Sequence, residues 1–214
     1  MKRVICTVIA LVLVFTAFSF AEADFTTARG MKWGMSADEV QAIELALLAQ
    51  EDEEDEHNYD YYVYYDSYRE REDYEELPID IAVVGNYKYV PFSRFNAQVR
   101  YYLADDELKA ALYYVEDDMY YSSDVEYLVL ALSSLYGYAE TVRPAVLEEL
   151  MGDSCLNDYS LNNITQACAW TSLDDTNIYM LLKMEGDYVE GCEVLYVEKA
   201  FAEQYVNTYD LSGL

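Results

Sequence analysis

The sequence is poor in positive charge. It contains 13 Lys and Arg residues against 41 Asp and Glu residues, and its formal net charge is −28 at pH 7. A field of that sign repels nucleic acid and anionic membrane surfaces through screened Coulomb forces. Cations, basic proteins and basic peptides remain as electrostatically allowed partners. The simplest interpretation of the charge is that it keeps an exported protein soluble.

Histidine and recognisable catalytic motifs are also scarce. The single histidine, His57, stands between an acidic block and a tyrosine-rich run, where a solvated loop cannot hold a base rigidly against a nucleophile. The sequence has no G-x-S-x-G, H-E-x-x-H or S-x-x-K motif and no glycine-rich phosphate loop. We therefore predict a protein that is not an enzyme and uses no cofactor. A hydrolase that uses a pair of carboxylates is the least favoured alternative. It is kept because so many acidic residues must bring some carboxylates close together.

Residues 1–23 follow the pattern of a secretory signal peptide. A basic pair precedes an apolar run over residues 4–20, and the small residues Ala21 and Ala23 form the site after which a signal peptidase cuts. We predict cleavage after Ala23 and a mature chain in the periplasm or outside the cell.

The same segment is poorly suited to a permanent anchor. Its apolar run barely reaches the roughly 18–20 residues that a membrane-spanning helix needs. A lipid anchor would require a cysteine at the cleavage point, whereas Cys6 lies at the other end of the run. No later segment is apolar enough to span a bilayer, so we expect no stable membrane insertion after cleavage.

The composition of the remaining chain favours a packed core with a sheet. Apolar residues make up 53% of the sequence, and 24 tyrosines accompany only three prolines. Several tyrosines are adjacent pairs, and neighbouring residues of a strand face opposite sides, so one ring can pack inward while the other meets water. An aromatic binding face is the alternative interpretation. The pairs begin at Tyr61, Tyr64, Tyr101, Tyr113 and Tyr120.

Two amphipathic helices are predicted, each with a capping box at its start. The first begins at Ser36 with Glu39, and an apolar stripe follows it to about residue 50, although Glu44 interrupts the stripe. The second begins at Ser123 with Glu126 and ends before Gly137. Its inward face is assigned to Leu128, Leu132 and Leu135.

Strands are predicted between and after these helices. Residues 79–84, 87–90, 96–103 and 108–115 precede the second helix, with turns at residues 85–86 and 104–107. A short helix opening at Pro144 comes next, followed by a meander over residues 167–171, 177–184 and 193–197. The order predicts an α+β protein of two small layered units, residues 24–118 and 119–214, each with a helix on an antiparallel sheet.

Residues 51–77 are predicted to form an acidic, tyrosine-rich loop in the first unit, because such dense like charges repel one another. Clustered carboxylates suit hard cations, so calcium binding is the sharpest hypothesis for this stretch. The D-x-D-x-D-G pattern of a calcium loop is absent, however. We therefore predict no defined metal site, and the weak candidates are Asp52, Glu54, Asp55, Asp60 and Asp66.

The cysteines of the mature chain suggest one disulfide. Export favours disulfide formation, and Cys155 with Cys168 is the preferred pair, whereas Cys168 with Cys192 is the alternative. Zinc is not expected, because no C-x-x-C spacing is present and the single histidine is badly placed.

A resemblance adds to this interpretation. Residues 29–40 read RGMKWGMSADEV, which resembles the "RG-x-x-WGMS-x-x-EV" opening of exported bacterial proteins of uncharacterised function. That opening is also similar to the helix-plus-sheet modules of small outer-membrane assembly lipoproteins and of β-lactamase-inhibitory proteins. Residues 135–137, Trp170 and residues 176–181 are similar to the second half of the group.

The resemblance implies a layered module that works by protein contact without a cofactor. The chain departs from the assembly lipoproteins because it lacks the lipidated cysteine, and residues 51–77 look like an insertion. Within the opening, Trp33, Gly34, Ser36 and Glu39 suit a structural role: a buried ring, a tight backbone approach and capped N–H groups. The predicted function is protein–protein interaction, with an acidic calcium-binding protein as the alternative. Neither the partner nor the oligomeric state follows from the sequence.

Thermal unfolding of residues 24–214 in chelator, calcium, magnesium and matched sodium chloride tests the calcium alternative. We expect equal, small shifts in every salt, because screening of the net charge is unspecific. A cation at about 100 times its dissociation constant would add roughly 2.7 kcal/mol, or roughly 5–11 °C. A shift of that size with calcium alone would establish a calcium site and overturn the preferred interpretation.

Overall fold

The computed structural model describes residues 29–51, 62–67, 81–115, 119, 121–142, 164–171, 173 and 175–206. The first part of the chain forms α1 (Ala37–Glu51), β1 (Val63–Ser67), β2 (Ile81–Phe92), β3 (Phe95–Ala104) and β4 (Glu107–Val115). The second part forms α2 (Ser122–Tyr136), β5 (Glu140–Val142), β6 (Gln166–Trp170), β7 (Thr176–Glu185), β8 (Tyr188–Glu198) and α3 (Lys199–Val206).

All eight strands of the described residues belong to one antiparallel sheet, so the predicted α+β class is confirmed. The strand order is β1-β2-β3-β4-β8-β7-β6-β5. Among the described residues, each half of the chain contributes a helix followed by four strands, and the second half adds α3. The halves meet where β4 pairs with β8. That register runs from Ala110 opposite Val197 to Val115 opposite Cys192.

Short hairpins connect β2 to β3, β3 to β4 and β7 to β8. Asp105 and Asp106 form the two-residue connection between β3 and β4 with φ angles of 52° and 61°, as a type I′ turn requires. Gly186, with φ of 62°, begins the connection between β7 and β8. The β3–β4 turn lies within the predicted turn over residues 104–107.

Two predictions for the first half are wrong. β2 runs through Gly85 instead of turning there, and the pairing with β3 becomes irregular only beyond Asn86. Glycine is needed at position 85 because the Tyr64 ring of β1 occupies the place of a Cβ. The predicted loop over residues 51–77 contains β1, whose Tyr64 ring also stacks on Tyr87 with centroids 4.4 Å apart. Aromatic packing therefore outweighs the acidic composition at this edge.

The two faces of the sheet carry separate cores. α1 and α2 cover the first face, where buried residues include Tyr101, Tyr113, Leu128, Leu132 and Tyr196. The second face has a smaller cluster that includes Leu112, Leu181 and Leu195, against which Ala202 of α3 packs. Burying a large apolar side chain stabilises the fold by about 1.5–3 kcal/mol, so these clusters hold the helices to the sheet.

Glu44 explains the interruption in the apolar stripe of α1. Its side chain is fully buried and accepts hydrogen bonds from Arg29 Nε at 2.9 Å, Asn86 Nδ2 at 3.1 Å and Tyr101 Oη at 2.5 Å. The network joins α1 to β2, to β3 and to the chain that precedes the helix. Burial, followed by the nearby phenol of Tyr113 and the Glu44 carboxylate, raises the pKa of Tyr101, which stays a protonated donor.

Removing the Glu44 carboxylate should destabilise the protein strongly. We expect Glu44→Ala to lower the free energy of unfolding by about 3–5 kcal/mol, because it breaks a buried charge pair and leaves polar groups without their acceptor. Urea unfolding measures this loss. The double variant Arg29→Met/Glu44→Leu should recover part of it, since both charges are then gone. Glu126→Ala, at an exposed position, is the control, and a Glu44→Ala loss as small as the control's would contradict the network's role.

Candidate functional site

The outer side of α2 carries large apolar side chains. The inner side packs Leu128 and Leu132 into the core, with Tyr136 half-buried beside them. Leu130 and Leu135 point away from the core and are 70% and 71% exposed. The assignment of Leu135 to the inward face is therefore wrong, because Tyr136 occupies that side of the last turn instead.

Aromatic residues extend this outer side at both ends of the helix. Tyr121 precedes α2 and forms an isolated bridge with Tyr188 at the start of β8, and both rings are exposed. Gly137 ends the helix by donating its N–H to Ser133 O at 3.0 Å, and Tyr138 follows with 97% exposure. We call this region the α2 surface. It consists of Tyr121, Tyr127, Leu130, Leu135, Tyr138 and Tyr188.

Arg94 contacts two residues near the start of α2, Asp124 and Tyr127. It lies in the β2–β3 hairpin, and its Nη2 donates to Asp124 Oδ1 at 2.6 Å. Its guanidinium carbon lies 4.0 Å from the centroid of the Tyr127 ring and 4.9 Å from that of Phe95. The two rings meet edge to face, with centroids 6.1 Å apart. Tyr127 is therefore packed against both Arg94 and Phe95.

The start of α2 also differs from the prediction. The helix begins at Ser122, and Asp124, not Glu126, completes the cap by accepting a hydrogen bond from the Tyr121 N–H at 3.1 Å. Asp124 thus both caps the helix and pairs with Arg94, which couples the helix start to the neighbouring hairpin.

The α2 surface offers contact area, not reactive groups. Its members are phenols and aliphatic side chains, and scattered exposed leucines are ordinary on a protein surface. Here, however, Leu130 and Tyr127 are neighbours on the exposed side of α2, and Tyr127 lies beside an arginine that is paired with Asp124. Tyrosine and arginine are enriched among the side chains that dominate protein interfaces, so the arrangement suits protein contact.

The opening motif, residues 29–40, makes contacts within the fold. Trp33 Nε1 donates to Thr176 Oγ1 of β7 at 2.9 Å, which ties the start of the chain to the second half. Gly34, with φ of 82°, donates its N–H to Leu108 O of β4 at 3.0 Å. The N–H of Ala37 donates to Asp106 Oδ1 of the β3–β4 turn at 3.1 Å.

The predicted capping box of α1 is confirmed. The N–H of Ser36 donates to Glu39 Oε2 at 2.9 Å, and the N–H of Glu39 donates to Ser36 Oγ at 3.4 Å. These bonds lower the pKa of Glu39, with the backbone bond from Ser36 as the largest cause. All four motif residues therefore act within the fold, with Trp33 half-buried. The predicted tight backbone approach at Gly34 is wrong, because a Cβ there would meet nothing within 4 Å, and the glycine is favoured by its positive φ instead.

The weak metal candidates do not form a site that the structure describes. Asp66 is half-buried on β1, whereas Asp52, Glu54, Asp55 and Asp60 lie outside the described residues, as does His57. Among the residues that are described, no group of three or more His, Cys, Asp or Glu side chains is arranged to hold a metal ion.

The cysteines are free where the structure describes them. Cys168 on β6 and Cys192 on β8 are both thiols, and β7 lies between their strands. Because the Cys168 thiol is free, the structure forms neither the preferred pair with Cys155 nor the alternative pair with Cys192. Cys155 lies outside the described residues. Burial raises the pKa of both thiols, which keeps them protonated.

Comparison with known proteins leaves the family open. No family model, curated protein or solved structure matches the chain. Within the described part of the chain, no helix has both the length and the apolar character needed to cross a membrane.

The Ser36–Glu39 box predicts a pH dependence. Because the folded-state pKa of Glu39 is lowered, its carboxylate stabilises the fold above the unfolded pKa and this contribution disappears as the pH falls through the folded value. We expect Glu39→Gln to lower Tm near pH 7, and the difference from the wild type to shrink below about pH 4.

Thermal unfolding of the wild type, Glu39→Gln, Ser36→Ala and the double variant between pH 3 and pH 7 measures this effect. The two substitutions should be non-additive, because they remove the same contacts. Glu126→Gln controls for the change in net charge. A difference between the wild type and Glu39→Gln that stays constant down to pH 3 would contradict the capping role.

Proposed function

We propose that this protein is an exported, non-enzymatic module that works by protein–protein contact through the α2 surface. The observation that carries the proposal is the exposed side of α2, where Leu130 and Leu135 are 70% and 71% exposed and Tyr127 is stacked on Arg94. Exposed apolar side chains on an ordered helix lose water when a partner covers them, which favours association.

The rigidity of the surface supports the same function. α2 is anchored from beneath by Leu128 and Leu132 and at its start by the Asp124–Arg94 pair. A surface that is ordered before binding loses less conformational entropy on association than a flexible one. Tyrosine adds contact area with only two side-chain torsions to fix.

The opening motif supports the proposal in a different way. Its residues make contacts within the fold, as the Trp33–Thr176 hydrogen bond illustrates. We therefore assign the function to the α2 surface and not to the motif. The likeness of that opening to protein-contact modules agrees with a function in the cell envelope or the extracellular space. The signal-peptide pattern of residues 1–23 agrees with export.

Site-specific photo-crosslinking in the native cells tests the proposed function. A benzophenone amino acid replaces Leu130 in one variant and Tyr65 in the other. Tyr65 is similarly accessible, at 52% exposure, but lies on edge strand β1. We expect a discrete protein adduct from position 130, because that side chain is 70% exposed and lies one helical turn from Tyr127 on α2.

The adduct should be identified by mass spectrometry, and the purified partner should bind the wild type but bind Leu130→Ser at least about tenfold more weakly. The free energy of unfolding of Leu130→Ser should stay within about 0.5 kcal/mol of the wild type, since the position is exposed. No adduct at position 130, or the same adducts at positions 130 and 65, would count against the proposal.

A further inference from the structure

The charges of α2 indicate the chemistry of its partner. The helix contains no lysine or arginine, and Asp124 and Glu126 are its only charged residues. Glu126 is exposed, on the same helix as the outward-facing leucines. The apolar side of α2 is therefore bordered by negative charge that the helix itself does not neutralise.

Arg94 does not make this surface positive. Its guanidinium pairs with Asp124 at 2.6 Å and lies against the Tyr127 and Phe95 rings. The pair has no net charge, and the aromatic faces further stabilise the cation. A partner that approaches Tyr127 therefore meets an arginine whose charge is neutralised by Asp124. Glu126 then supplies the net negative charge of the helix.

The C-terminal end of α2 adds to the negative potential. The last carbonyls of a helix carry a partial negative charge, which basic side chains in the last turn often offset. α2 has no basic residue in its last turn. Tyr138, almost fully exposed, lies just beyond that end and offers a ring against which a cation can pack.

We infer that the α2 surface binds a basic protein segment whose apolar side chains cover Leu130 and Tyr127 and whose lysines or arginines surround them. This inference rests on the proposed function and adds the class of partner. The net charge of −28 favours the same class, because it steers basic partners toward the chain and opposes the approach of a second copy.

Two designed helical peptides serve as probes. They share one pattern of leucines and differ only at their polar positions, which are all lysine in one peptide and all glutamate in the other. Each is labelled and titrated with residues 24–214, and fluorescence anisotropy reports binding. The variants Leu130→Glu and Leu130→Lys remove the same apolar side chain and introduce opposite charges at a position that is 70% exposed.

We expect the lysine peptide to bind and the glutamate peptide not to bind. Leu130→Lys should weaken binding of the lysine peptide about three- to tenfold more than Leu130→Glu does at low salt. The difference should shrink as the salt concentration rises to about 0.5 M, because exposed charges are then screened.

Position 65 provides the matched control. Tyr65→Lys and Tyr65→Glu change the total charge in the same way but lie on β1, so they should leave binding of the lysine peptide nearly equal. Any of three results would overturn the inference. Both peptides could bind equally, the lysine peptide could fail to bind up to about 1 mM, or the Lys and Glu variants could differ by the same amount at positions 65 and 130.

Two further outcomes separate the inference from the proposed function. If both Leu130 variants weaken binding equally, the surface is used but the charge of the partner is wrong, and only the inference fails. If no substitution at position 130 alters binding and photo-crosslinking yields no adduct there, the proposed function fails as well. Sedimentation equilibrium completes the test: a wild-type dimer that both Leu130 variants dissociate would identify a second copy as the occupant and overturn the inference.

Discussion

The pairing of β4 with β8 is the interaction on which the rest of the structure depends. It joins two sets of four strands into one sheet, from Ala110 opposite Val197 to Val115 opposite Cys192. The Tyr113 and Tyr196 rings meet edge to face across this seam, with centroids 5.6 Å apart. Because α1 and α2 cover the same face of the joined sheet, the inner side of α2 packs into the core and its outer side remains exposed.

Local signals predicted the elements whose causes are local. The Ser36–Glu39 box sets the start of α1 through bonds between residues three apart, and the β3–β4 turn follows from two consecutive acidic residues that tolerate positive φ. β1 was missed because its stability comes from outside its own sequence. Tyr64 packs over Gly85 and stacks on Tyr87, so a partner strand turns an acidic, tyrosine-rich segment into an edge strand.

Long-range contacts decide the features that the sequence could not show. Glu44 looks like an error in an apolar stripe, yet Arg29, Asn86 and Tyr101 surround it from three other parts of the chain. The α2 surface has the same difficulty. Helical periodicity places Leu135 near the inward side, and only the packing against Tyr196 shows that Tyr136 takes that place instead. The cluster of Arg94 with Tyr127 likewise needs the hairpin position, which no spacing rule supplies.

The central position of β8 has a consequence for how the molecule is made. Among the described strands, β8 is the eighth along the chain but the fifth across the sheet. β1 to β4 therefore emerge well before β8, the partner of β4. Until then β4 presents an open edge, the kind of surface on which unfinished sheets pair with the wrong chain. Completion of the sheet is therefore a late, long-range event. A pair of separately produced halves should find each other through the same ladder, which makes this seam the natural place to split the protein for fragment complementation.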